Sequence, residues 1–462
     1  MCENGPYPIS AKQPVTKLLA EFIHSLQYAA LNKTCIAKLK ELLLDFIGVA
    51  SAATVVADSS VPFHNGVMAL MGTESGQCTA LTKGSVFAPR YAALLNGAFS
   101  HTLDFDDTYA PGALHPGVSV ISAALAQGEA SSGASSELLL TALAAGYEVV
   151  CRVAVALGGG SYERGFHNTA TAGIFGAIAA IAKLKGLKAA TIENAFGLAA
   201  SKAAGTMQWL ENGAWNKRLH PGFAAHDAFV CIAFAEAGVI GAAEPLEGKF
   251  GLFHGYTTEP RPENILESLG TLWTFLDTAV KPFPACRMTH GSIELAAKFA
   301  SARKDKPVKH ITVTLSPHCF PVVGLHVPNK VHPKNIVDAQ FSSYYQTAVA
   351  WLHGSAIGWK AYELLDDRDV HRLCERITVE IDEPLMGLQS SLRAVWEDEE
   401  VWQEIQNVPI GEKANPLTWH QLQAKFLSLA EPVYGEEKCN AVVKAVADLE
   451  NVSIHDLMAL LR

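Results

Sequence analysis

Residues 135–157 read SSELLLTALAAGYEVVCRVAVAL and residues 169–184 read TATAGIFGAIAAIAKL. Apolar side chains recur at helical spacing in both, the first along one whole side. Ala and Gly give these helices small faces that allow close packing. From Ala170 to Ile181 the second stretch is apolar all round, until Lys183 ends the run. That is shorter than the roughly 20 residues a bilayer span needs. An all-round apolar helix without a membrane signal belongs in a protein interior. The two stretches predict a helical body with fully buried central helices.

The sequence on either side extends this body. Residues 15–29 carry Leu18, Leu19, Phe22, Ile23 and Leu26 on a helical period. Residues 36–50 do the same through Leu39, Leu42, Leu43, Phe46 and Ile47. Helices are also predicted over 90–102, 118–129, 189–204 and 221–237, with Lys185-Gly186 as a stop. Near Phe275 the character changes. HITVTL (310–315) and RITVEI (376–381) alternate and predict strands. Helices are expected over 293–301 and 337–352. Residues 419–429, 436–449 and 455–461 return to helix, with Thr418 and Ser453 as N-caps. The expectation is a mostly α fold. An all-α domain takes residues 14–270 with 405–462, and a smaller α+β lid domain with an antiparallel sheet takes 271–404. Residues 1–13 read as a disordered lead-in.

Charged residues make up 18% of the 462, against 49% apolar. So lean a polar complement predicts that some surface is buried in an oligomer. A net charge of -10 argues against binding to a nucleic-acid backbone, which needs a basic face. The nine cysteines are odd in number and contain no C-x-x-C, which argues against a disulfide framework or zinc ribbon. Reduced thiols fit a cytosol-like compartment. MCENGPYPISAKQP has no apolar core and no Arg, so the expectation is a cytoplasmic protein, with a mitochondrial location left open. No membrane association is expected.

Four polar clusters interrupt the apolar helices. HTLDFDDT (101–108), with His115-Pro116-Gly117 after it, places three carboxylates within four positions between two histidines. One helical turn would set Asp104 and Thr108 on one face. A helix cap or a hard-cation site would use the same residue types. GFHNT (165–169) puts His167 just before a helix, where the dipole favours an anion. NKRLHPG (216–222) sets Lys217 and Arg218 before a helix with Pro221 in its first turn, a carboxylate cradle or a solvated basic turn. KPFPACR (281–287), followed by Thr289 and His290, lies at the change of character, where clefts form. Cys286 beside His290 reads as a buried thiol rather than a nucleophile, since no cysteine-protease context surrounds it. Gly158-Gly159-Gly160 lacks any dinucleotide or Walker spacing and reads as a helix stop.

HTLDFDDTYAPGALHPG, GFHNTATAG, NKRLHPGFAAHDAF, KPFPACRMTHGSIELA and DAQFSSYYQTAVAWLHG together resemble the MmgE/PrpD family. NPLT (415–418) and AKF (424–426) match its closing pattern, and the likeness runs from about Val15 to the C-terminus. This resemblance implies a helical domain with a lid, a homodimer, and a pocket between domains with no metal or organic cofactor. It implies Asp104, His115, His167, Lys217 and Lys281 as catalytic residues. Thr108, His101, Arg218, Cys286 and His290 follow as substrate contacts.

Family reactions make or protonate a carbanion beside a carboxylate. Lys217 and Lys281 would neutralise substrate carboxylates, His115 would move the proton, and Asp104 would orient or share that task. The preferred expectation is a lyase that dehydrates a citrate-like or alkylcitrate-like polycarboxylate. Decarboxylation of a cis-aconitate-like acid, epimerisation of an iminodisuccinate-like acid and non-catalytic binding stay as alternatives.

Overall fold

The computed structural model describes residues 14–304 and 306–462; the lead-in expected over 1–13 lies outside them. The first body opens with α1 (Val15–Ser25), α2 (Lys33–Val56), α3 (Ser60–Met71) and α4 (Pro89–Thr102). A short antiparallel pair, β1 (Cys78–Ala80) and β2 (Gly84–Phe87), precedes α4. Then come α5 (Gly117–Ala130), α6 (Ser136–Glu163), α7 (Asn168–Thr171), α8 (Gly173–Lys185), α9 (Ala189–Ala199) and α10 (Asn216–Glu236).

The interior helices are those the apolar stretches predict. Leu139–Ala154 of α6 and Gly173–Leu184 of α8 are buried without interruption. Helix α6 is long and apolar enough to cross a membrane, but 89% of its most apolar window lies inside the protein. Its two interior charges answer each other. Arg152 Nε donates to Glu148 Oε2 at 2.8 Å, and its other nitrogens donate to the carbonyls of Ile265, Glu267 and Leu272. A buried charge is tolerated when every donor is paired in this way. The glycine run bends the helix instead of ending it: Gly158 has φ 63°, and helix resumes to Glu163. Pro221 likewise falls inside α10, which starts at Asn216, so NKRLHPG lies on the helix rather than ahead of it.

The lid holds β3 (Val308–Leu315), β4 (Ile377–Ile381), β5 (Ser390–Trp396) and β6 (Val401–Gln406), in the order β4-β3-β5-β6. The sheet is mixed rather than purely antiparallel, because β3 and β4 pair in parallel. Roughly sixty residues, mostly helical, separate β3 from β4, and a parallel pair needs such a crossover. Alternating burial along β3 shows one covered face. His290–Ala302 and Ser343–His353 supply the cover and form a second core with Ile311, Val313, Leu392 and Trp396.

The chain then returns to the first core. Thr418 and Gln421 form a capping box at the start of Trp419–Tyr434, and Ser453 caps Ile454–Leu460. Leu422 and Phe426 join the first core, with Phe426 against Gly48 of α2.

Helices α4 and α10 cross where glycine faces glycine. A Cβ on Gly97 would meet the Gly222 backbone at 3.0 Å, and one on Gly222 would meet the Leu94 carbonyl oxygen at 2.4 Å. This crossing fixes the spacing between the loop after α4 and Lys217 on α10. Gly222→Ala is expected to push the helices apart and cost about 1–3 kcal/mol of stability, as overpacking does. A lowered denaturation midpoint is the check; an unchanged midpoint would mean the crossing is looser than its geometry.

Candidate active site

Helix α4 ends at Thr102, and Asp104 takes a left-handed φ of 50°. A short polar side chain tolerates that conformation better than most. The segment is therefore a loop, not the helical turn expected to align Asp104 with Thr108. Both still line one cavity.

Three consecutive carbonyls of this loop are held by three distant elements. Gln340 Nε2 from the lid donates to Leu103 O at 2.8 Å. Lys281 Nζ donates to Asp104 O at 2.7 Å, and Lys425 Nζ from the C-terminal return donates to Phe105 O at 2.7 Å. Thr108 and Ala279 exchange backbone hydrogen bonds, which seats the segment leading to Lys281 beside the loop.

The cavity, about 150 Å³, is lined from both bodies. Asp104, Thr108, His115, His167 and Lys217 face it from the helical body. Lys281, Cys286 and Arg287 face it from the segment entering the lid, and Phe341 and Leu388 from the lid itself. Asp104 Oδ1 lies 2.6 Å from Lys217 Nζ and 3.2 Å from Lys281 Nζ. Burial pushes this carboxyl up, but the two ammonium groups outweigh it and hold Asp104 well below the usual carboxylate range. Asp104 is thus a fixed anion between two buried cations. Its Oδ2 and the Thr108 hydroxyl are buried without a protein partner.

His115 stands beside this group, its Nε2 3.8 Å from Asp104 Oδ1. Behind it, Asp106 Oδ2 accepts from His101 Nδ1 at 2.7 Å and lies 2.8 Å from His115 Nδ1. The second contact is off the line of the ring N–H, since His115 Nδ1 makes no well-directed hydrogen bond. Burial lowers the His101 pKa to about 3 and lowers that of His115, so both rings are neutral near pH 7. Asp106 is driven up by burial but held well below its ordinary value by His115 and His101. We take two neutral rings beside an ionised Asp106, hydrogen-bonded to His101 and in close contact with His115, as the resting arrangement. Asp106 then lies against the Nδ1 edge of His115, and Nε2 is on the Asp104 side.

His167 caps α7, with Nδ1 3.0 Å from Nδ1 of His220. Burial holds His167 well below its ordinary range and lowers His220 to about 4. The Cys286 thiol is pushed up to about 12 by burial, so it is no thiolate nucleophile.

Three expected contacts do not reach the cavity. His101 packs behind it, 4.6 Å from the His115 ring centre and 5.6 Å from that of His167. Arg218 points the other way on α10, to Asp58 Oδ1 at 2.7 Å and Ser59 Oγ at 2.9 Å. His290 sits behind Arg287, its Nδ1 2.7 Å from Arg287 Nη1. Conversely, Tyr162, Trp209 and Phe341 line the cavity without being singled out by sequence, and Arg287, which sequence placed in the KPFPACR cluster without a role, lines it too. Trp209 and Phe341 flank Lys217, with ring centres 6.0 and 5.6 Å from its Nζ. Asp106 was visible inside HTLDFDDT, but sequence cannot tell which carboxylate of the three faces a cavity and which faces a histidine.

His101, Asp106 and His115 bring two ring nitrogens and a carboxylate oxygen within 4.8 Å of one another. Among the described residues this is the group close enough to clasp a metal ion. Its nitrogens stand at hydrogen-bond distance from one oxygen, so a cation would have to displace those protons.

Residues 17–264 match the MmgE/PrpD N-terminal domain, and residues 283–451 match the MmgE/PrpD C-terminal domain. The chain belongs to the MmgE/PrpD family. Within this family it is similar to a cis-aconitate decarboxylase-like protein, oryM, of Aspergillus oryzae, 26% identical over 97% of both chains. It is also 26% identical to the cis-aconitate decarboxylases of Aspergillus terreus, over 96% of this chain and 95% of the relative, and of Homo sapiens, over 95% and 92%.

The neutral His101 has a consequence for stability. Its folded pKa is depressed, so below about 6.5 the unfolded chain takes up a proton that the folded one refuses, and stability falls with pH. Relative to His101→Gln, the wild type should lose about 2 kcal/mol between pH 7 and pH 5. Urea unfolding of both proteins at the two pH values measures this. A constant difference would place a charged His101 in the fold.

Proposed function

We propose that this MmgE/PrpD protein is a lyase that removes carbon dioxide from a cis-aconitate-like tricarboxylate. The observation that carries the reading is a cavity in which two buried ammonium groups share the wall with several apolar side chains. Lys217 and Lys281 form a cationic pair on Asp104, and Leu114, Met288, Phe341 and Leu388 belong to the apolar part of the wall. The names of the relatives, aligned along nearly the whole chain, support decarboxylation over the dehydration that sequence alone placed first.

In this reading one substrate carboxylate docks at Lys217 and Lys281. A second lies against the apolar wall, where it loses hydration. Loss of carbon dioxide disperses that charge, so a dry wall favours the transition state over the bound acid. The C–C bond breaks, carbon dioxide leaves, and the electron pair stays on the carbon skeleton, spread toward a carboxylate near the ammonium groups. His115 then delivers a proton to carbon through Nε2. Its pKa is low without substrate, and a bound polyanion raises it, so the ring enters the complex as an acid.

Dehydration of a citrate-like acid is the second reading. It needs a base and an acid side by side, and Asp104 Oδ1 and His115 Nε2 stand 3.8 Å apart.

Incubation with cis-aconitate, 2-methylcitrate and iminodisuccinate under proton NMR separates these readings. The expected result is carbon dioxide release from cis-aconitate, reduced by about 10²–10⁴-fold in His115→Ala. Water loss from 2-methylcitrate without carbon dioxide release would favour the second reading. No turnover of any acid would count against both.

A further inference from the structure

Arg287 is an unexplained cation in the cavity wall. It is 6% exposed and lines the cavity beside Cys286 and Met288. Two of its three nitrogens are fixed by protein. Nε donates to Glu412 Oε1 at 2.6 Å, and Nη1 lies 2.7 Å from His290 Nδ1. His290 Nε2 is 3.1 Å from the Ala285 carbonyl, which only an N–H can approach favourably. His290 therefore carries its proton on Nε2 and accepts from Arg287 through Nδ1. Burial and the neighbouring Arg287 and Lys281 keep that ring neutral. The third nitrogen, Nη2, is buried and has no partner among the described residues.

Such an arrangement is costly unless something answers Nη2, because a buried donor without an acceptor has lost its hydration for nothing. The clamp on Nε and Nη1 also fixes the guanidinium plane, so Nη2 is held in place on a residue that lines the cavity. Lys217 and Lys281 share the Asp104 carboxylate, and Arg287 is paired with Glu412 through Nε, which leaves Nη2 as its uncommitted donor. A guanidinium edge suits a carboxylate better than an ammonium does.

We propose that Arg287 anchors a further substrate carboxylate in the cavity, separate from the one held by Lys217 and Lys281, and so selects tricarboxylates over dicarboxylates. His290 and Glu412 are its positioning residues. The assignment rests on the polycarboxylate reading of this cavity.

Binding of inert acids tests it without turnover. Calorimetric titration of propane-1,2,3-tricarboxylate and of glutarate, which lacks the middle carboxylate, should show the first bound about 10- to 100-fold more tightly by wild type. In Arg287→Gln the gap should close to about twofold, since the variant has no charge to offer the extra carboxylate. Arg287→Lys keeps the charge but cannot fill the same three contacts, and should recover only part of the gap. It also serves as the test if Arg287→Gln does not fold, because an unchanged gap in a folded Arg287→Lys would overturn the planar-anchor assignment. A full gap in a folded Arg287→Gln would overturn the proposal while leaving the polycarboxylate reading intact. Failure of wild type to bind either acid would overturn both.

Discussion

The structure depends on the grip that three side chains exert on one short stretch of backbone. The carbonyls of Leu103, Asp104 and Phe105 accept from Gln340, Lys281 and Lys425. These donors come from the lid, from the segment leading into it, and from the helix that returns to the first core. A loop with carbonyls inside the protein must find donors somewhere. Here each donor also ties one part of the chain to the loop. Lys425 is itself paired with Asp45 at 2.5 Å and stands 3.9 Å from the centre of the Phe105 ring. The C-terminal return is thus joined to the loop by charge as well as by apolar packing.

The same grip sets the electrostatics of the cavity. With Lys281 bound to its carbonyl and Lys217 to its carboxylate, Asp104 cannot escape ionisation. Two buried ammonium groups sharing one carboxylate leave an excess of positive charge toward the cavity. That excess is where a polyanion gains most from a water-poor wall. The histidines sit in the opposite regime. Crowded together and desolvated, they stay neutral, with Asp106 against the Nδ1 edge of His115. In the proposed reaction, fixed charge on one side would bind and a titratable ring on the other would move the proton.

Much of this was legible in the sequence. The buried helices follow from the all-round apolar stretches, and the strands from HITVTL and RITVEI. The clusters that supply the cavity stood out because several charges in an apolar context have few structural uses. What stayed hidden depends on direction. Lys217 and Arg218 are adjacent, yet neighbours on a helix point about 100° apart, so one enters the cavity and the other meets Asp58. His101 and His290 share their motifs with lining residues but sit behind them. The parallel pairing of β3 with β4 depends on a long crossover that local alternation does not reveal. The bend at Gly158, which carries Tyr162 to the cavity, depends on packing beyond the glycines themselves.

The central claim is that Asp104, held between Lys217 and Lys281, organises a catalytic cavity and is not merely a structural ion pair. Turnover of cis-aconitate by Asp104→Asn, measured beside its denaturation midpoint, tests that claim most directly. The account predicts a folded protein whose turnover falls by about 100-fold or more, the scale of losing a preorganised charge in an active site. A folded variant that turns over at the wild-type rate would contradict it.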